Sequence, residues 1–275
     1  MEQYKLPLGN YTEKFVDWLV DNGASFFDAI SESLEWLISL FTDALLWLNP
    51  IAFIVIVVAI ALYFRRSIGL AIYSIIALLL IWNLGYWVET MQTLALVLYA
   101  TLLCMLIGLP IGIYAAHHPL FYRALQPVLD LMQTVPTFVY LIPTLTLFGL
   151  GVVPGLISTV IFAIAAPIRL TYLGISEVPK DILEAGQSFG ATKRQLLFRI
   201  ELPAAATSIA AGVTQCIMLS LSMVVIAALV GADGLGKPVV RALNTVDIAS
   251  GFEAGLAIVL LAILLDRLFK AGQAK

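Results

Sequence analysis

About seven apolar stretches of membrane-crossing length run along the chain, at 45–64, 67–85, 92–115, 128–149, 153–175, 205–230 and 251–268. Each approaches the roughly 20 mostly apolar residues that a spanning helix needs. Pro136 and Pro143 interrupt the fourth, a pattern tolerated where neighbours or cavity water satisfy the freed carbonyls. Ahead of the first stretch, Phe27, Ile30, Leu34, Leu37, Phe41 and Leu45 recur at helical spacing, with Asp28, Glu32, Glu35 and Ser39 on the opposite face. This predicts an acidic amphipathic helix that lies in the interface or packs on a partner. The alternative, an eighth span over 24–48, would place acids in hydrocarbon at about 2.5–3.5 kcal/mol for a central Asp.

The longest polar interruption in the C-terminal two-thirds of the chain lies between the fifth and sixth stretches, and it is patterned. Pro179 suits a helix start, where its missing N–H costs nothing, and Asp181 and Glu184 sit near the positive end of that helix. Ile182, Leu183 and Phe189 form an apolar edge, and Ala185 and Gly186 leave a shallow notch. Gly190 is placed to end the helix in the left-handed conformation. Thr192 with Gln195 reads as a capping box opening a second helix. That helix carries Leu196, Leu197 and Ile200, and Pro203 marks the return to the membrane. Such signals also occur in ordinary connectors, so the spacing of the whole segment carries the weight.

Composition agrees with a membrane protein. Of 275 residues, 61% are hydrophobic and 12% charged, against about a quarter charged in soluble domains, and the mean hydropathy is +0.99. The N-terminal residues are polar and acidic, which does not suggest a secretory signal. Cys104 and Cys216 lie in apolar runs and read as buried hydrophobes. The net charge of −3 is unevenly split. Residues 1–49 carry eight acids and two bases, and everything after is basic by three. With the N-terminus outside, ten bases fall in inner segments and four in outer ones, which places 177–203 and the C-terminus in the cytoplasm.

The segment Glu184-Ala185-Gly186, three residues, Gly190, nine residues, Ile200, one residue, Leu202-Pro203 resembles the EAA loop of type I ABC-importer permeases. Gly186 stands where that loop usually has Ala. The resemblance covers roughly 90–269. Further runs, among them Gln92–Leu98, Leu129–Pro136, Phe138–Leu141, Gly151–Gly155 and Leu221–Ala227, are similar to the ProW/OpuAB-like permeases for glycine betaine, proline betaine, choline and carnitine.

The resemblance implies an all-α integral membrane protein with a type I ABC importer (MetI-like) permease fold. It implies an N-terminal scaffold segment over 1–48, two accessory helices over 49–89, the permease core over 90–269 and a tail over 270–275. The family pairs two permease subunits with two cytoplasmic ATPases and an extracytoplasmic binding protein, in a bacterial cell membrane. No Gly-rich loop followed by Lys-Ser/Thr occurs here, so ATP and Mg are expected on a separate ATPase chain, the permease is expected to be a homodimer without cofactor or catalytic residues, and no nucleic-acid partner is implied. The coupling loop is carried over to Asp181, Glu184, Ala185, Gly186, Phe189, Gly190, Ile200, Leu202 and Pro203, with Glu184 the expected partner of an ATPase arginine. Rigidity matters there, because a flexible elbow would absorb the displacement it has to transmit.

Quaternary ammonium groups have no N–H donors, and aromatic faces recognise them well. Among Trp82, Tyr86, Trp87, Phe138, Tyr140 and Phe148, the pair Phe138 and Tyr140 between Pro136 and Pro143 stands out, because broken helices often mark transport sites. Asp130 and Arg169 are placed to pair at span ends. His117 and His118 read as solvent-exposed in a short turn, without metal-site spacing. Gly108/Gly112, Gly151/Gly155 and Gly251/Gly255 read as close helix crossings. The outer segment 231–237 reads as a flexible loop facing the binding protein. A secondary transporter or channel would need no elbow and would often show internal repeats. A membrane enzyme would need a constellation of reactive side chains that the chain lacks.

Overall fold

The computed structural model describes residues 8–270, which are almost entirely helical. Helix α1 (Leu8–Trp47) is 40 residues long and ends because Asn49 precedes Pro50. The proline ring bars Asn49 from the helical region, and Asn49 sits at φ −56°, ψ 138° while its Oδ1 accepts from the Ile51 N–H at 3.0 Å. The chain leaves this corner at 98° as α2 (Pro50–Tyr63). The span expected over 45–64 is therefore corrected to a 14-residue helix, about 21 Å long at 1.5 Å per residue, hinged to α1. Helix α3 (Ile68–Asn83) packs beside α2.

The apolar stripe of α1 holds at Phe27, Ile30, Leu34, Phe41 and Leu45, which are all partly buried, but Ile38 takes the buried place expected of Leu37, which is exposed. Phe41 meets Tyr99 edge-to-face at 5.6 Å, and the Tyr99 hydroxyl donates to the Leu37 carbonyl at 2.9 Å. Phe27 meets Phe148 in the same manner at 5.4 Å. Helix α1 thus packs on α4 (Trp87–His117), α6 (Thr137–Phe148) and α7 (Val152–Ala163), with its acids turned outward.

Among the described residues, four segments are long and apolar enough to cross a membrane as single rods: α4, α7 continued by α8 (Ala165–Ser176), the run 193–228, and α13 (Ile248–Phe269). Counting each bent pair as one crossing gives six, and the 16-residue α3 is a shorter seventh apolar helix. The expected span 128–149 is corrected to two helices, α5 (Pro119–Thr134) and α6, bent by 95°. The cause is local: Val135 precedes Pro136 and is forced to an extended φ −63°, ψ 131°.

The centre is built by α4, α7, α8 and α11 (Leu202–Ala228). Backbones approach closely at Gly112, where a Cβ would lie 2.7 Å from Thr171 Cβ and 2.8 Å from the Ile168 carbonyl oxygen. Gly155 packs on α11 in a similar way, and a Cβ on Gly251 would lie 3.3 Å from Ala242 Cβ, whereas one on Gly151 or Gly255 would meet open space, so each of these two pairs makes a close approach at one glycine only. The outer segment 231–237 is not a loose loop. Leu235 is fully buried and its N–H donates to Thr93 Oγ1 at 2.8 Å. It leads into a helix absent from the sequence reading, α12 (Gly236–Thr245). Helix α13 then starts at Asp247, whose carboxyl is held below its ordinary range by hydrogen bonds from the Ser250 hydroxyl and backbone N–H.

Candidate functional site: the elbow and its footing

Pro179 is the residue just outside α9 (Lys180–Ser188), and Asp181 lies in its first turn. Gly190 adopts φ +79°, and the N–H groups of Gly190 and Ala191 close the turn onto the carbonyls of Gln187 and Gly186 at 2.8 and 3.1 Å. The reversal leads to α10 (Lys193–Leu196) through a complete capping box. The Gln195 N–H donates to Thr192 Oγ1 at 3.3 Å, and the Thr192 N–H donates to Gln195 Oε1 at 2.8 Å.

Beyond α10 the helix continues without a break: Leu197–Glu201 form a π-helical turn that runs directly into α11 (Leu202–Ala228). The Leu202 N–H reaches back to the Leu197 carbonyl, and Pro203 follows in the first turn of α11. The widened turn accommodates a residue without an N–H inside a continuous rod. The elbow's second arm is therefore the direct extension of a span.

The two arms also divide the loop residues differently from expectation. A Cβ on Gly186 would lie 2.7 Å from both Leu196 Cδ2 and Ile200 Cδ1. Gly186 is thus the inner contact between the arms, and the notch faces the chain's own second arm. Asp181, Glu184, Ala185 and Ser188 recur at three-to-four spacing on the exposed side of α9. Phe189 is 93% exposed and Ile182 48%, so the apolar edge is open to a partner, while Leu183 is half-buried. Ile200 and Leu202 are half-buried in the second arm, and Pro203 is exposed.

One feature of the footing was missed entirely. His117, the last residue of α4, is exposed as expected but has partners: its Nε2 lies 3.0 Å from Oε2 of Glu201, and its Nδ1 lies 2.8 Å from the Ile113 carbonyl oxygen. Glu201 closes the π-helical turn and is 7% exposed. A cavity of about 800 Å³ opens beside the pair, lined by Pro110, Tyr114, His118, Gln187, Lys193 and Arg194 among others. The only signal in the sequence was a lone acid among apolar and basic residues just before Pro203.

The other expected residues lie around the α5–α6 corner. Tyr140 donates its hydroxyl to the Met132 carbonyl at 2.9 Å and so ties the corner together. Phe138 is 57% exposed and Pro136 is exposed beside it. Pro143 lies inside α6, half-buried. Asp130 and Arg169 do pair, at 2.5 Å, and Tyr122 stacks on Tyr172 at 3.4 Å, which fastens α5 to α8.

Comparison with known proteins agrees with this architecture. The family model described as "Binding-protein-dependent transport system inner membrane component" matches residues 108–274. The glycine betaine transport system permease protein OpuAB of Bacillus subtilis (strain 168) is 45% identical over 264 residues, 96% of this chain and 93% of that protein. The glycine betaine/proline betaine permease ProW of Escherichia coli (strain K12) is 42% identical over 266 residues, 97% of this chain and 75% of that protein. The glycine betaine/carnitine permease GbuB of Listeria monocytogenes serotype 1/2a (strain 10403S) is 43% identical over 269 residues, covering 97% and 95%. An inward-facing structure of the MetNI methionine ABC transporter superposes with a TM-score of 0.58 at 21% identity, over 66% of this chain and 92% of that one. That likeness concerns the fold.

Proposed function

Since the chain belongs to the family of inner-membrane components of binding-protein-dependent transport systems, we propose that it forms the membrane pathway of an ATP-driven importer for a quaternary-amine compatible solute. It is a permease subunit and not the ATP-hydrolysing one. The solutes in view are glycine betaine, proline betaine, choline and carnitine, three of which are named for relatives at 42–45% identity.

In this reading α9 is the element that an ATPase subunit grips. Its exposed side offers Asp181 and Glu184 to basic groups, Ala185 permits close seating, and Ile182 and Phe189 supply apolar contact. Because α10 and the π-helical turn continue into α11, a push on α9 is delivered to a membrane-crossing rod. ATP with Mg belongs to the partner ATPase, and a separate extracytoplasmic protein delivers the solute. Two copies of the permease face one another, with α5 and α6 beside the path. The exposed apolar residues Leu131, Phe138 and Ile142 suit such a face, and the Phe138 ring is the aromatic surface offered to the trimethylammonium group. The elbow and C-terminus lie in the cytoplasm and the N-terminus outside. The observation that carries the reading is the braced elbow, with an exposed acidic and apolar face on one arm and a span growing from the other.

The test is uptake by proteoliposomes that contain permease, ATPase and binding protein, with ATP inside and labelled betaine, choline or carnitine outside. ATP-dependent accumulation of one of these solutes is expected. Accumulation of a solute by the permease alone, without ATP, would support a secondary transporter or channel instead.

A further inference from the structure

The contact between His117 and Glu201 joins the end of α4 to the base of the elbow, 84 residues away in sequence. Both ring nitrogens of His117 face acceptors: Nδ1 lies 2.8 Å from the Ile113 carbonyl oxygen, and Nε2 lies 3.0 and 3.3 Å from the two carboxylate oxygens of Glu201. Glu201 is 7% exposed, and a carboxylate so far removed from water depends on such a partner. The titratable or charged groups that line the same cavity are Tyr114, His118, Lys193 and Arg194. None is an acid able to replace Glu201.

We propose that His117 and Glu201 are positioning residues: a clasp that holds the elbow against α4 and makes its movement reach the core spans. The π-helical turn beneath the elbow departs from regular α-helix, and such turns often occur at functional places. The clasp keeps that turn from absorbing the displacement. This proposal rests on the reading of α9 as the ATPase contact.

The experiment uses the reconstituted complex of permease, ATPase and binding protein, and measures glycine betaine taken up per ATP hydrolysed. His117→Ala and Glu201→Ala are expected to lower the ratio at least fivefold while hydrolysis stays within twofold, and the double variant to be no worse than either single one. Glu201→Gln keeps the contact, because an amide can donate to Nε2 or accept from it, so its ratio stays near wild type. Hydrogen exchange over 197–202 in the same complex needs no transported solute, and is expected to speed up in the alanine variants and to match the wild type in Glu201→Gln. An unchanged ratio in an assembled His117→Ala complex, or wild-type exchange over 197–202 in that complex, overturns the clasp. Where Glu201→Ala does not assemble, His117→Ala, at an exposed side chain, decides. A wild-type complex that takes up no betaine counts against the function above, and the exchange data then decide the clasp alone.

Discussion

Gly190 and Gly186 constrain the elbow for different reasons and predict different outcomes. At φ +79° Gly190 holds a conformation closed to proline, whose ring fixes φ near about −65°. Gly190→Pro is expected to abolish uptake while the protein still reaches the membrane. Glu184→Lys, which reverses a charge on the exposed side of α9, is expected to do the same. Uptake of labelled solute measured beside membrane abundance checks both, and wild-type uptake in the two variants would contradict the coupling role. At Gly186 an added methyl meets only the movable tips of Leu196 and Ile200. Gly186→Ala should therefore keep near-normal uptake, whereas Gly186→Phe should pry the arms apart and lower uptake more than tenfold. At this scale the sequence was legible wherever the rule is local. The capping pair Thr192 and Gln195 and the left-handed Gly190 are examples. The inward direction of Gly186 depends on where the second arm returns, and the His117–Glu201 contact depends on two spans meeting, so neither could be read from spacing.

Among the elements, the close approach of α4 and α8 at Gly112 gives a stability prediction. A methyl there would press on the Ile168 carbonyl oxygen, a backbone atom that cannot swing aside. Gly112→Ala is expected to cost about 1–3 kcal/mol, the usual range for overpacking. It should appear as a lower melting temperature of the purified protein, with an unchanged melting temperature contradicting the packing described. At the α5–α6 corner, Tyr140→Phe removes the hydroxyl that bonds the Met132 carbonyl but keeps the aromatic face. A loss of about 1 kcal/mol of stability with an unchanged KM for uptake would mark a structural role; a raised KM with unchanged stability would mark a substrate contact. The apolar runs were legible as helices because length and hydropathy decide them. Their corners were less so. Asn49-Pro50 and Val135-Pro136 each turn the chain by more than 90°, and a residue before proline announces a boundary without giving its angle. The segment 231–237 looked loose because Gly is abundant there; the contact with Thr93 that buries it comes from 142 residues away.

For the whole molecule, a long helix with its acids outward packs on α4, α6 and α7, and a braced elbow grows from the 36-residue run 193–228. In the function proposed above, these elements carry a push into a span and partners supply the rest of the cycle. ATP hydrolysed on another subunit is expected to drive solute uptake through this elbow. The most direct test places permease, ATPase and binding protein in proteoliposomes, with ATP or ADP inside, and compares the wild type with Glu184→Lys. Glycine betaine is expected to accumulate against its gradient only in the wild type with ATP, with hydrolysis and uptake uncoupled or lost in the variant. Equal accumulation with ADP, or wild-type accumulation by Glu184→Lys, would contradict it.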